Sequence, residues 1–215
     1  MTPFPIETLL RKAVLVAVLT IERVEDAIPL ARALVAGGIC TLEITLRTPA
    51  GAEAAKAVHA EVPEAVVGLG TVTRVADLEL ARRLGLPFAF SPGATPELLD
   101  AARGLGVPFV PGIATASELI AALSRGFGTV KLFPAEQLGG AGAIKALGGP
   151  FPQVLFNPTG GVSEANLGGY LALPNVVAAG GSWLAPASEV RDANWPAITR
   201  RASHAASLVA AARGA

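Results

Sequence analysis

Short apolar runs alternate along this chain with longer segments of helical period. The runs are AVLVAVLT (13–20), CTLEITL (40–46), AVVGLGTV (65–72), FAFS (88–91), PFVPG (108–112), TVKLF (129–133), QVLFN (153–157) and VVAAGG (176–181). Their length, and their enrichment in β-branched and aromatic residues, predict short strands covered on both faces. Between them, VEDAIPLARALVAGG, DLELARRLG, PELLDAARGLG and ASELIAALSRG have helical spacing and close on Gly, as left-handed C-caps require. Eight such strand–helix units predict an α/β protein, a parallel (β/α)8 barrel forming a single domain over residues 1–215. The alternative is a doubly wound open sheet, which the regularity of the units disfavours. Residues 1–12 predict a short leading helix, and an Ala-rich helix from about Asn194 closes the chain.

Polar residues inside such strands need a reason. Of four lysines, Lys12, Lys56 and Lys145 fall in or beside helical segments, and Lys131 alone lies within a strand. Of 17 carboxylates, only Glu43 is central in a strand. In TLEITLR the period-two rule puts Thr41, Glu43, Thr45 and Arg47 on one face and Leu42, Ile44 and Leu46 on the other. If the apolar face meets the helices, the polar face points into the barrel. The same parity groups Thr129, Lys131 and Phe133. A lysine and a glutamate then share one interior, with Arg47 nearer the mouth and Thr71 beside it. One reading is a core ion pair without a chemical task, although such pairs seldom gain over an apolar replacement. The other is an amine nucleophile beside an acid/base.

The last two strands run into NPTGGVSEAN and AAGGSWLAP, each a Gly-Gly turn followed by a small hydroxyl residue near a helix start. Gly160, Gly161, Gly180 and Gly181 allow close backbone approach, and helix N-termini favour anions. Barrels commonly bind phosphate in the loops after strands seven and eight. Thr159 and Ser182 would add hydroxyls to that site.

Composition narrows the partners. Lys plus Arg and Asp plus Glu are both 17, and no long basic run is present, so nucleic acid is not an expected partner. Apolar runs are broken too soon to span a bilayer, and no signal peptide is evident. The single Cys40 excludes an intramolecular disulfide, consistent with a cytoplasmic location. No His/Cys/Asp/Glu cluster has metal-ligand spacing, so neither metal nor cofactor is expected. His59 and His204 read as surface residues. The fragment GLGTVTR lacks the full glycine spacing of a nucleotide fingerprint.

The segments LEITLRTPA, GLGTV, FAFSPGATPELL, VPFVPGIATASEL, VKLFPAE, FNPTGGVSEAN and AAGGSWLAP, in this order, closely resemble the bacterial 2-keto-3-deoxy-6-phosphogluconate (KDPG) and 4-hydroxy-2-oxoglutarate (KHG) aldolases. The resemblance implies a metal-independent class I aldolase on a (β/α)8 barrel, generally a homotrimer. It implies cleavage of the phosphorylated keto acid KDPG to pyruvate and glyceraldehyde 3-phosphate. By motif, Lys131 would form the Schiff base and Glu43 would be the general acid/base. Arg47 and Thr71 would hold the keto-acid carboxylate, and Pro92 and Phe133 would wall the pocket. Thr159, Gly160, Gly161, Gly181 and Ser182 would bind phosphate. Leu132 and Asn157 depart from the commoner family pattern, and both are expected to stand clear of the catalytic groups. Two readings remain beside the aldolase: a phosphosugar isomerase or epimerase without an imine, and a barrel that only binds a sugar phosphate.

Overall fold

The computed structural model describes residues 5–214, so the part of the expected leading helix before Pro5 lies outside the described residues. The chain opens with α1 (Pro5–Ala13) and β1 (Leu15–Leu19), then a single 3-10 turn at Val24–Asp26. There follow α2 (Ala27–Ala36), β2 (Thr41–Thr45), α3 (Gly51–Glu61), β3 (Val66–Gly70), α4 (Val75–Arg83), β4 (Ala89–Phe90) and α5 (Pro96–Leu105). The second half contains β5 (Phe109–Val110), β6 (Gly112–Ile113), α6 (Ala116–Leu123), β7 (Thr129–Leu132), α7 (Gly140–Gly148) and β8 (Leu155–Phe156). The last elements are α8 (Glu164–Leu171), β9 (Ala179–Gly181), α9 (Ala187–Arg191) and α10 (Trp195–Arg213).

All pairings between these strands are parallel. Six strands in the order β5-β4-β3-β2-β1-β9 form a sheet curled as a half-barrel, and β6-β7-β8 form a second sheet. The fifth apolar run is thus two strands rather than one, interrupted at Pro111. Proline has no N–H to give to a ladder, but its carbonyl still accepts from the Lys131 N–H at 2.8 Å. On the other side, bridges Phe156↔Val176 and Thr159↔Gly180 connect β8 to the chain of β9. The Gly180 N–H donates to Pro158 O there at 2.8 Å.

Two apolar clusters follow from the strand alternation. Leu42, Ile44, Leu69, Phe109 and Leu132 pack with helical residues such as Leu30, Leu34 and Val58 in the larger one. The smaller one holds Val16, Phe88, Phe90, Val110 and Val177 together with Ile6 and Leu10 of α1. The leading helix therefore covers the inner cluster, and burying each of its two aliphatic anchors is worth about 1.5–3 kcal/mol. Helix ends obey local rules: Thr95 Oγ1 accepts from the Leu98 N–H, and Gly106 closes α5 at φ 68°. Thr115 and Glu118 form a reciprocal capping box at α6. These stops set where each strand begins, and hence which residues reach the interior.

Candidate active site

Glu43 sits at the centre of β2, paired with Val18 of β1 and Gly68 of β3. Lys131 lies in β7 beside Gly112 of β6. Although 88 residues apart in sequence, the two meet: Lys131 Nζ donates to Glu43 Oε1 at 2.8 Å and to Oε2 at 3.1 Å. Both are buried, at 2% and 0% exposure, so the contact is shielded from solvent. The rings of Phe90 and Phe133 flank the amine, with centroids 5.4 and 5.6 Å from Nζ. Removing one partner of such a pair would leave a buried charge, at a cost of about 3–5 kcal/mol. A proton shifted from Nζ to the carboxylate instead leaves a free amine and a neutral acid, with no net charge created in the enclosure.

Gly70 makes room for this arrangement. A Cβ there would lie 2.3 Å from Glu43 Oε1 and 2.5 Å from its Cγ. Gly68, two positions earlier on the same face, similarly admits the Phe88 ring, whose Cδ2 would lie 2.2 Å from a Cβ. The GLGTV motif thus supplies space rather than a nucleotide cradle. Across the ring, a Cβ on Gly112 would meet the Pro92 carbonyl carbon at 2.3 Å, so Pro92 packs directly against the strand neighbour of Lys131.

Above the pair, toward the C-terminal ends of the strands, is a cleft of about 110 Å³. Arg47, Phe133, Thr159, Gly160, Gly161, Gly180 and Ser182 line it together with Val18 and Val162. Arg47 lies beyond the end of β2, in a turn and exposed, rather than on the strand face that parity suggested. Its Nε donates to Thr71 Oγ1 at 3.2 Å. Thr71 itself adopts φ 59°, a left-handed conformation that costs a β-branched residue about 1–3 kcal/mol. Of the other polar residues on β2, Thr45 is engaged structurally, its Oγ1 donating to Leu19 O at 3.0 Å.

The two Gly-Gly turns behave differently. Gly160 and Gly161 have φ of 95° and 77°, which only glycine adopts without strain. Gly180 leaves space for Thr159, whose Oγ1 would lie 2.4 Å from a Cβ, and Gly181 does the same for the Trp183 ring. Gly181 is therefore a packing residue in β9, while Ser182 is exposed at the cleft. The first turn is braced from the turn that follows β7: Ala135 N–H donates to Thr159 O at 2.8 Å and Glu136 N–H to Gly160 O at 3.1 Å. Glu136 in turn accepts a short hydrogen bond from Tyr170 of α8. Burial first, and the Glu136 carboxylate second, push the Tyr170 phenol well above its ordinary value.

Sequence reading missed Gly70, Phe90, Val18 and the Glu136–Tyr170 strut. Alternation on β3 was the available signal for Gly70, since two of its three inward positions, Gly68 and Gly70, are glycine. Asn157 makes no side-chain hydrogen bond to a catalytic group, as expected, but the register Val130↔Phe156 carried one step further sets it beside Lys131 in the ladder. His59 and His204 are exposed, and among the described residues no His/Cys/Asp/Glu group could hold a metal ion.

The comparisons agree with one another. The family model for KDPG and KHG aldolase matches residues 6–201. A 2-dehydro-3-deoxy-phosphogluconate aldolase of Pseudoalteromonas atlantica is 50% identical over 190 residues, covering 88% of each chain. The KHG/KDPG aldolase of Escherichia coli K12 is 46% identical over 199 residues, covering 93% of each. A crystal structure of KDPG aldolase from Legionella pneumophila, with pyruvate captured at low pH as a covalent carbinolamine intermediate, superposes with TM-score 0.89. It is 41% identical and covers 92% of this chain and 96% of that one. On a family match over residues 6–201 and on identities reaching one half, this chain belongs to the KDPG and KHG aldolase family.

Proposed function

We propose that the chain is a class I aldolase that cleaves KDPG to pyruvate and glyceraldehyde 3-phosphate and also accepts 4-hydroxy-2-oxoglutarate. The observation that carries this reading is the buried Lys131–Glu43 contact beneath a cleft lined by Arg47, the Gly160–Gly161 turn, Gly180 and Ser182. An isomerase would use Lys131 only as a charge and form no imine, and a passive binding barrel would need no acid/base beside it.

The geometry supports the following sequence. Glu43 takes the Nζ proton, and the free amine adds to the C2 ketone. The resulting carbinolamine loses water to give an iminium on Lys131, which accepts the electron pair released when C3–C4 breaks. Glu43, as carboxylate, removes the C4 hydroxyl proton, so the aldehyde leaves as glyceraldehyde 3-phosphate. The enamine takes a proton at C3, and water hydrolyses the imine to pyruvate. Arg47 and Thr71 would receive the keto-acid carboxylate, between walls formed by Pro92 and Phe133. The Gly160–Gly161 turn, Thr159 and Ser182 would receive the phosphate. Gly181 would act in that site through Trp183 rather than by direct contact.

The scaffold is read as one closed (β/α)8 domain, a reading supported by the Lys131–Pro111 and Gly180–Pro158 hydrogen bonds that connect the two sheets. The family resemblance supports a homotrimer. Among the described residues no helix is long and apolar enough to cross a membrane, which is compatible with a cytoplasmic enzyme. Pyruvate release from KDPG and from 4-hydroxy-2-oxoglutarate, measured with the unsubstituted protein and with Lys131→Met, tests the reading. Cleavage abolished by Lys131→Met supports it, and cleavage that survives the substitution would end it.

A further inference from the structure

Asn157 is fully buried at 0% exposure, yet neither its Oδ1 nor its Nδ2 has a hydrogen-bond partner among the described residues. The register Thr129↔Leu155 and Val130↔Phe156 carries forward to place it beside Lys131, on strands about 4.8 Å apart. Leu155 packs against the inner cluster of Val16, Phe90 and Val110, so period-two alternation turns Asn157 to that same interior. Thr159, two residues further on, lines the cleft. The amide thus lies one pleat below the cleft, at the ladder position beside Lys131, whose amine makes its own hydrogen bonds to Glu43.

A buried amide left unpaired costs about 1–3 kcal/mol for each group, and a leucine or valine would fill the same place without that penalty. We propose that Asn157 is a positioning residue for the water that leaves and re-enters at C2, a role that rests on the aldolase reading of Lys131. When the amine adds to the ketone, the C2–O π pair moves to oxygen, which takes one of the two protons of the newly bonded nitrogen and becomes the carbinolamine hydroxyl. That hydroxyl takes a further proton from neutral Glu43 and departs as water while the nitrogen lone pair forms C2=N. Ketone, amine and carboxylic acid thereby become iminium, carboxylate and water. Asn157 Nδ2 donates to the departing oxygen, and Oδ1 accepts from the water it becomes. In hydrolysis the same two contacts hold the attacking water. A group that both donates and accepts matches an oxygen that changes from hydroxyl to water.

The test follows pyruvate in deuterium oxide enriched in heavy oxygen, corrected for uncatalysed hydration. Oxygen exchange at C2 counts passages through imine formation and hydrolysis, whereas deuterium at the methyl group counts enamine formation and reprotonation while the imine lasts, so their ratio reports how the imine partitions between the two. Asn157→Leu should slow oxygen exchange roughly tenfold, the factor equivalent to about 1.4 kcal/mol, and raise the deuterium incorporated per oxygen exchanged. This ratio does not depend on how much of the variant is folded, and Asn157→Ala serves if leucine prevents folding. An unchanged ratio in variants that still form a borohydride-stable adduct on Lys131 would overturn the role of Asn157 alone. Absence of oxygen exchange in the unsubstituted protein would overturn both this role and the aldolase reading.

Discussion

Gly70→Ala is a single methyl group aimed at the carboxylate of the buried pair. The added Cβ would lie 2.3 Å from Glu43 Oε1, whereas ordinary contact begins at 3.4 Å, so the oxygen must retreat by 3.4 − 2.3, or about 1.1 Å. Glu43 is 0% exposed, and both of its carboxylate oxygens are held by Lys131 Nζ. The 2.8 Å bond to Nζ cannot absorb a movement of that size and stay a hydrogen bond. Overpacking of this kind costs about 1–3 kcal/mol, which in a chain of this length lowers Tm by roughly 2–12 °C. The catalytic effect should be larger than the stability effect implies, because a misplacement of about 1 Å at reacting groups can cost 10²-fold in rate. The assay is steady-state cleavage below the variant's melting range, with kcat and KM separated. We expect kcat to fall by about 10² and KM to rise by less, since Thr71 alone among the proposed substrate-binding residues adjoins position 70. A kcat within twofold of the unsubstituted value would refute the claim that the carboxylate position controls turnover.

Glu43→Gln should retain imine formation, trapped by reduction, while turnover falls by about 10²–10⁴, the usual worth of a positioned proton-transfer group; unchanged turnover would remove Glu43 from that role. Arg47→Ala should lower kcat/KM for every keto-acid substrate by roughly 10–100-fold, as expected for a lost charge-assisted hydrogen bond, with little change in Tm because the side chain is exposed. Gly161→Ala strains a φ of 77° and brings a Cβ to 2.6 Å from Glu136; it should raise KM for KDPG more than for the unphosphorylated 4-hydroxy-2-oxoglutarate. The Tyr170 phenol is raised in the folded state, so its contribution to stability is fully present below about pH 10 and is lost as pH rises beyond that value. Because this is the only tyrosine, phenolate absorbance on alkaline titration should appear together with unfolding, and appearance in the folded protein near pH 10 would contradict the burial argument.

Much of this was legible in the chain because the barrel interior is selective. A lysine and a glutamate inside otherwise apolar strands had few explanations, and period-two parity brought Lys131 and Glu43 to a common interior before any coordinates. Parity failed for Arg47 because β2 ends at Thr45, and the turn that follows no longer alternates. The Gly-Gly turns looked equivalent as text. The structure separates Gly160 and Gly161, which need positive φ as well as space, from Gly180 and Gly181, which need only the space. Gly70 and Asn157 were hidden for the same reason. Their meaning lies in what the adjacent strand presents, and strand neighbours such as β7 and β8 are set by register rather than by sequence separation. Pro111 divided one predicted strand in two because a strand pattern counts apolarity, while a ladder counts N–H groups.

The central claim is that Lys131 forms a covalent imine with pyruvate. Reduction with borohydride in the presence of pyruvate, followed by peptide mass analysis, tests it directly. The account predicts a stable adduct on the peptide containing Lys131 and on none of those containing Lys12, Lys56 or Lys145. A folded protein that gives no adduct, or gives it on another lysine, would contradict the account.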